Sequence, residues 1–281
     1  MGDKLQRIVQ VRVGPPGGTG RRFGDEDDGT RGLDIQFTTH SGDYGRPGEC
    51  SLRIFNLSDK SRRLLLDRTH VASLRVGYKG SGTRVIFDGN PAPETLNVTR
   101  AGGDWITSIT LRDGGLAYDR GRVEASFRTS VTGRQVLDEI LRQTGMGEGQ
   151  VDVASADWPR RYAYSGSARG ALDELAKRSG PTHRWFIRDG NLFILAASEA
   201  TQETGPVFSS DNRNLVGAPE PLEGSGVRFK GMLDASVRVG RKVRLESKFI
   251  TGWFKVVEAS FVGDNFGGGF YVNVKGTEYL T

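Results

Sequence analysis

Residues 49–58 run Glu49-Cys50-Ser51-Leu52-Arg53-Ile54-Phe55-Asn56-Leu57-Ser58. From Cys50 to Phe55 apolar and polar side chains alternate with period two. That places one set on a core face of a β-strand and the other towards water. Ser58 stands as N-cap to a short helical turn over Asp59–Asp67, which carries Leu64, Leu65 and Leu66. The same alternation recurs outward from this stretch. It marks Leu5–Val13, Leu33–Thr38, Leu74–Tyr78, Arg84–Phe87, Thr95–Val98 and Trp105–Leu111 as strands. Lys79-Gly80-Ser81-Gly82 and Gly102-Gly103-Asp104 are hairpin turns between them. Many short strands at close spacing predict a sandwich or barrel, and a barrel removes exposed edges.

The segment Gly14–Gly32, GPPGGTGRRFGDEDDGTRG, breaks this pattern. It has too little apolar area to hold itself in a packed core and reads as a long loop between the first two strands. The period changes after residue 128. Thr132-Gly133-Arg134-Gln135 fits a capping box, Val136, Leu137, Ile140 and Leu141 form a helical stripe, and Gly145 is placed to stop it. A second helix is expected over Ser167–Ser179, with Leu172, Leu175 and Ala176 inward and Gly180 as its stop. The two helical segments resemble one another, but two copies rarely stack into a solenoid. Arg184–Ile187 and Asn191–Leu195 flank Arg188-Asp189-Gly190, a hairpin turn, so residues 129–205 read as a small α+β domain with helices on one face of a short sheet. Strands return at Val227–Lys230, Lys242–Leu245, Phe254–Val262 and Phe270–Val274, with Gly267-Gly268-Gly269 as a flexible tip. The expected fold is mainly β. A first barrel over 1–128 and a second over 206–281, completed by strands from elsewhere in the chain, flank or enclose the α+β insert.

The 281 residues are enough for two domains or three small ones, each with its own core. Lys+Arg number 39 against 34 Asp+Glu, and the pI is about 9.4. The arginine pairs Arg21-Arg22, Arg62-Arg63 and Arg160-Arg161 are scattered, so no basic run marks a nucleic-acid arm. One cysteine excludes a disulfide framework and a cysteine-based zinc site. No stretch approaches the roughly 20 apolar residues of a membrane span, and the start, MGDKLQRIVQ, lacks the apolar segment of a signal peptide. The expectation is a soluble chain made without Sec export.

Chemistry-bearing residues are sparse. His40, His70 and His183 each stand alone, without HExxH or a pair at helical spacing. Asp25-Glu26-Asp27-Asp28-Gly29 has the carboxylates of a calcium loop but not EF-hand spacing, and reads as a solvated acidic loop. Gly14–Gly20 lacks the Gly-Lys-Ser/Thr of a P-loop, and Gly145-Met146-Gly147-Glu148-Gly149 follows a helix instead of opening one; both read as loops. There is no GxSxG elbow, and Cys50 reads as a buried structural thiol. Asp138-Glu139 and Asp173-Glu174 lie three or four residues from Arg134, Arg142, Arg169 and Lys177, the spacing of surface ion pairs. No catalytic, cofactor-binding or metal-ligating residue is assigned, no cofactor is expected, and the chain is not expected to be an enzyme.

Four stretches carry a resemblance. Glu49–Ser58 resembles a strand ending in a Phe-Asn-Leu-Ser turn before a Leu-rich helix. Leu74–Gly80 followed by Ile86-Phe87-Asp88-Gly89 resembles a Gly-Tyr, then Phe-x-Gly hairpin, and Asp104–Thr107 the strand after it. Gly240–Leu245, Gly252–Val256 and Gly263-Asp264 resemble a second barrel. In order and spacing these are similar to baseplate hub proteins of long-tailed bacteriophages and of contractile injection systems. The resemblance implies two tail-tube-like barrels plus a smaller domain, a homotrimer, and a pseudo-hexameric ring joining tail tube to central spike. It also implies contacts with a tube or tube-adaptor protein, with baseplate wedge or arm proteins and with the tape measure protein. DNA would pass only through the lumen, with no membrane insertion. The location implied is the virion's tail baseplate, after assembly in the host cytoplasm. No lytic or spike domain is expected on this chain, so those functions would lie on separate chains. The glycine-rich segments Gly14–Gly32 and Gly263–Gly269 would contact neighbours, and the lumen should be acidic or neutral. Two other readings are a carbohydrate- or receptor-binding tail protein, through aromatics such as Trp158 or Trp253, and a cell-wall-degrading tail enzyme. Core packing is the expected fate of Trp253.

Overall fold

The computed structural model describes residues 6–43, 45–114, 121–128, 130–153, 158 and 161–279. Leu5 and Arg160, used in the sequence reading, lie outside them. The first part contains β1 (Arg7–Gly14), β2 (Arg21–Gly24), β3 (Ile35–Gly42), β4 (Glu49–Phe55), α1 (Asp59–Leu64), β5 (Val71–Tyr78), β6 (Gly82–Ala101) and β7 (Asp104–Arg112). The insert contains β8 (Arg122–Ser126), α2 (Gly133–Thr144), β9 (Gly147–Val151), β10 (Ala163–Ser167), α3 (Ala168–Ser179), β11 (His183–Arg188) and β12 (Asn191–Ala196). The last part contains β13 (Thr204–Ser209), β14 (Leu215–Leu222), β15 (Gly226–Met232), β16 (Lys242–Glu246), β17 (Thr251–Asp264) and β18 (Phe270–Glu278). The molecule is mainly β with a small α+β insert.

The alternation in β4 does what its pattern predicts. Cys50, Leu52 and Ile54 are buried, and Ser51 and Arg53 are exposed. Ser58 caps α1, its side chain accepting from the N–H of Ser61. β6 runs for 20 residues and serves two partners. Gly82–Gly89 pairs with β5 and Asn90–Ala101 with β7, so one strand turns the corner of the first lobe. A register shift between Ala92 and Asn97 relieves the bend, and the Thr95 hydroxyl fills it, donating to Ala92 O and accepting from Thr110 N.

The two β parts share one sheet. Its order is β14-β15-β18-β17-β3-β4-β7-β6-β5-β1-β2, with β16 on β17 and β13 on β16. One edge of β17 makes the join: Thr251–Lys255 pairs with β16, and Glu258–Asp264 pairs with β3. One hydrophobic cluster follows the sheet from Val9 through Leu52, Val256 and Val274 and takes in Phe186, Phe193 and Leu195 of the insert. A second lies within the insert, around Leu137, Leu172, Leu175, Trp185 and Ile194, and includes Val123 and Ala125 of β8.

Three local expectations need correction. Gly14–Gly32 is not a free loop: β2 pairs with β1, Phe23 is buried, and Asp25 is fully buried. Polar bonds replace the missing apolar area there, because Asp25 accepts from Val9 N, Gly32 N and the Asn265 side chain. Residues Gly147–Val151 form β9, parallel to β12, where a loop was expected. The glycines permit it: a Cβ on Gly149 would sit 2.5 Å from the Phe193 ring, so only glycine lets the strands approach. The insert holds two small sheets, β8–β10 and β9–β12–β11, instead of one. Both helix readings hold, with a full capping box at Thr132 and Gln135, a left-handed Gly145 and an N-cap at Ser167.

Candidate functional site

The insert is fastened to both β lobes by one hairpin turn and the residues around it. Arg188-Asp189-Gly190 joins β11 to β12, with Asp189 at φ 53° and Gly190 at φ 76°. This left-handed pair turns two adjacent main-chain N–H groups outward. Asp113, just past β7, accepts both at 3.0 Å. Burial pushes the Asp113 carboxyl up to about 7, helped by the neighbouring Asp189 and Asp88 and opposed by the two amides.

The second lobe grips the same turn. Arg188 donates to Val239 O at 3.0 Å. Arg238, almost wholly buried, lies 3.7 Å from Asp189 and donates to Val85 O and Ile86 O of β6. Burial lowers the pKa of Arg238, and that of Arg188 to about 10. Gly240 completes the contact. Its φ is 87°, and a Cβ there would lie 2.7 Å from Phe186. On the far side Lys255 of β17 donates to Ala196 O and Ala197 O, and Gly45 N donates to Trp185 O. Between them Asp43 is buried, its carboxyl raised by desolvation, with Arg184 3.7 Å away. These charges are committed largely to main-chain groups and to one another, which fits them to hold three parts in one orientation.

The residues singled out from sequence are not brought together. His40 is exposed, His70 bonds Leu64 O, and His183 bonds Asp152 at 3.1 Å. Cys50 is fully buried and desolvation pushes its thiol up. Asp27 accepts from Gln10 and Asp28 from Thr30 N, and no group of three metal-ligating side chains occurs among the described residues. Asp138, Glu139, Asp173 and Glu174 pair with Arg134, Arg142, Arg169 and Arg178, the last in place of Lys177. Trp158, a candidate for sugar stacking, is buried under Arg178 and edge-on to Tyr162. Trp253 is half-buried with Lys242 and Arg244 over its ring. Sequence reading missed Asp113, Lys255 and Arg238 altogether. Only the Arg-Asp-Gly turn gave a local signal of where Asp113 and Arg238 converge. Among the described residues no helix is long and apolar enough to cross a membrane.

This architecture recurs in solved structures. The 43 kDa tail protein of prophage MuSo2 from Shewanella oneidensis matches 97% of this chain and 98% of its own, with a TM-score of 0.65 at 11% identity. The fold is that of phage tail proteins. A tail protein from Neisseria meningitidis MC58 matches 98% of this chain and 97% of its own, with a TM-score of 0.63 at 12% identity. An Escherichia coli type VI secretion component, described as similar to the T4 tail proteins gp27 and gp5, matches 88% of this chain and 74% of its own. Its TM-score is 0.58 at 10% identity. No protein-family model matches the sequence, and comparison with curated proteins returns no match.

Proposed function

We propose that this chain is a structural baseplate hub at the tip of a phage tail, and not an enzyme. The observation that carries the reading is whole-length agreement with two tail proteins, one of them from a prophage, through both β lobes and the insert. In this reading three copies form a pseudo-hexameric ring, each giving two lobes. A trimer of two-lobed chains meets six-fold symmetry in the tube above and three-fold symmetry in the spike below. The continuous β18–β17–β3–β4–β7 sheet supports it, because it holds both lobes in one hydrogen-bonded unit. The ring would sit in the virion's baseplate, between tail tube or tube adaptor and central spike, with wedge or arm proteins outside and the tape measure protein within reach. Its parts are the two lobes, carrying β1–β7 and β13–β18, and the insert carrying β8–β12, and it would assemble in the host cytoplasm. In this reading the lumen is acidic or neutral, so that DNA passes without its phosphates being gripped; the solvent side of this sheet carries the uncharged Thr38, Ser51, Thr110 and Ser260 together with the charged Glu49, Arg53, Arg112, Glu258 and Lys275.

The test is antibody-gold labelling of particles by electron microscopy, with opened or contracted particles included because a hub is covered. Label at the tail tip is the expected outcome. Particles that stay bare after opening overturn the reading. The burial of Trp158 and the cations over Trp253 weigh against sugar binding through those residues.

A further inference from the structure

In space the first lobe reads β4-β7-β6-β5 and the last lobe β15-β18-β17-β16, in the same chain order and antiparallel throughout. The β6–β7 hairpin and the β17–β18 hairpin are therefore counterparts. Each ends in a glycine turn, Gly102-Gly103 in one and Gly267-Gly268-Gly269 in the other. Each tip exposes one large aromatic ring: Trp105 is 50% exposed and Phe266 56%. An arginine lies over each ring, Arg100 5.7 Å from the centre of Trp105 and Arg31 5.5 Å from that of Phe266. Arg100 belongs to its own hairpin and Arg31 to the segment before β3, so the arrangement arises twice from different parts of the chain. Both tips are tied down. Asn56 donates its main-chain N–H to Trp105 O and accepts from Trp105 N through Oδ1. Asp264 Oδ1 accepts from Phe266 N and Gly267 N, and Arg7 donates to Gly267 O and Gly268 O. Register carries both tips to one end of the shared sheet: Asp264 pairs with Gln36, Gln36 with Arg53 and Arg53 with Ser108. Four strand spacings separate the two hairpins, about 19 Å. Among the described residues neither Arg53, which lies between them, nor Arg100 pairs with a carboxylate.

We propose that Trp105 and Phe266, each with its arginine, are two equivalent anchors for a partner ring of six identical subunits, each offering an apolar socket edged by carboxylates. The proposal rests on the hub reading above, in which three copies supply six such tips. A six-fold ring meets every tip in the same way, whereas a three-fold spike would meet the two tips of one chain differently. That assigns this end of the sheet to the tail tube or tube adaptor. The carboxylates follow from charge, because Arg53 and Arg100 lack an anion within this chain. Aromatic rings and arginines are the side chains that most often anchor protein interfaces. Rings already held on fixed tips lose little freedom on docking.

The experiment is photo-crosslinking from the full chain in assembled particles. Trp105→p-benzoylphenylalanine and Phe266→p-benzoylphenylalanine are irradiated separately, and the products are read by mass spectrometry. Both positions should join the same protein at the same stretch of its sequence. Phe249→p-benzoylphenylalanine, on the exposed β16–β17 turn at the other end of β17, should mark a different surface. Tips that join different proteins, a second copy of this chain, or nothing overturn the anchors and leave the hub reading intact. One product from all three positions overturns them as well. Absence of gold label from opened particles removes the hub reading, and the proposal with it. Should a substituted chain fail to enter particles, radical footprinting of the wild type decides. Both rings should lose most of the labelling they show in the isolated chain, and a ring that keeps it overturns the proposal.

Discussion

The side-chain amide of Asn265 donates to the Asp25 carboxylate at 2.9 Å, joining residues 240 positions apart. Asn265 also accepts from Ile35 N and donates to Leu33 O, while Asp25 accepts from Val9 N. Two glycine-rich segments that lack apolar area are thus tied together where β1 and β3 begin.

Replacing Asp25 by Ala should strand the Val9 amide and the Asn265 amide in a buried site. The expected loss is about 2–4 kcal/mol, read as a lower denaturant midpoint at unchanged slope. A change within about 0.5 kcal/mol would mean that the segment is held by other contacts.

Gly240→Ala forces a side chain into positive φ and against Phe186. A loss of about 2–3 kcal/mol in thermal unfolding is expected. Gly102→Ala also sits at positive φ, 60°, but its Cβ meets nothing, so it should cost about 1 kcal/mol. Equal effects would contradict the packing argument.

Arg238→Ala removes the cation beside Asp189 and the donors to Val85 O and Ile86 O. The orphaned buried groups should cost about 3–5 kcal/mol by equilibrium unfolding. Arg134→Ala, which breaks exposed pairs with Asp138 and Glu148, should leave the midpoint almost unmoved.

Cys50 should be silent to thiol reagents in the native protein, because it is fully buried and desolvation disfavours its thiolate. Labelling should keep pace with unfolding as denaturant is added. Rapid labelling in buffer would show that β4 opens locally.

Local regularities made much of this protein legible. Period-two alternation placed β4, β7 and β18. The Thr132 capping box and the inward stripe of Leu172, Leu175 and Ala176 placed both long helices, and Arg188-Asp189-Gly190 marked the hairpin that became the joint. Each is a property of neighbouring residues, set by backbone geometry and by which face of an element meets water. Four features lay beyond that reach: the β3–β17 pairing that makes two lobes one sheet, the strand at Gly147–Val151, the burial of Asp25, and the convergence of Asp113, Asp189 and Arg238. Pairing partners and buried charges are chosen by contacts between distant segments. A carboxylate in a glycine-rich stretch has the same sequence whether water or Asn265 satisfies it. The sequence by itself determined the elements and their inward faces. The tertiary structure decided which edges meet and which charges are enclosed, because those depend on desolvation and hydrogen bonding that exist only once the chain has closed on itself.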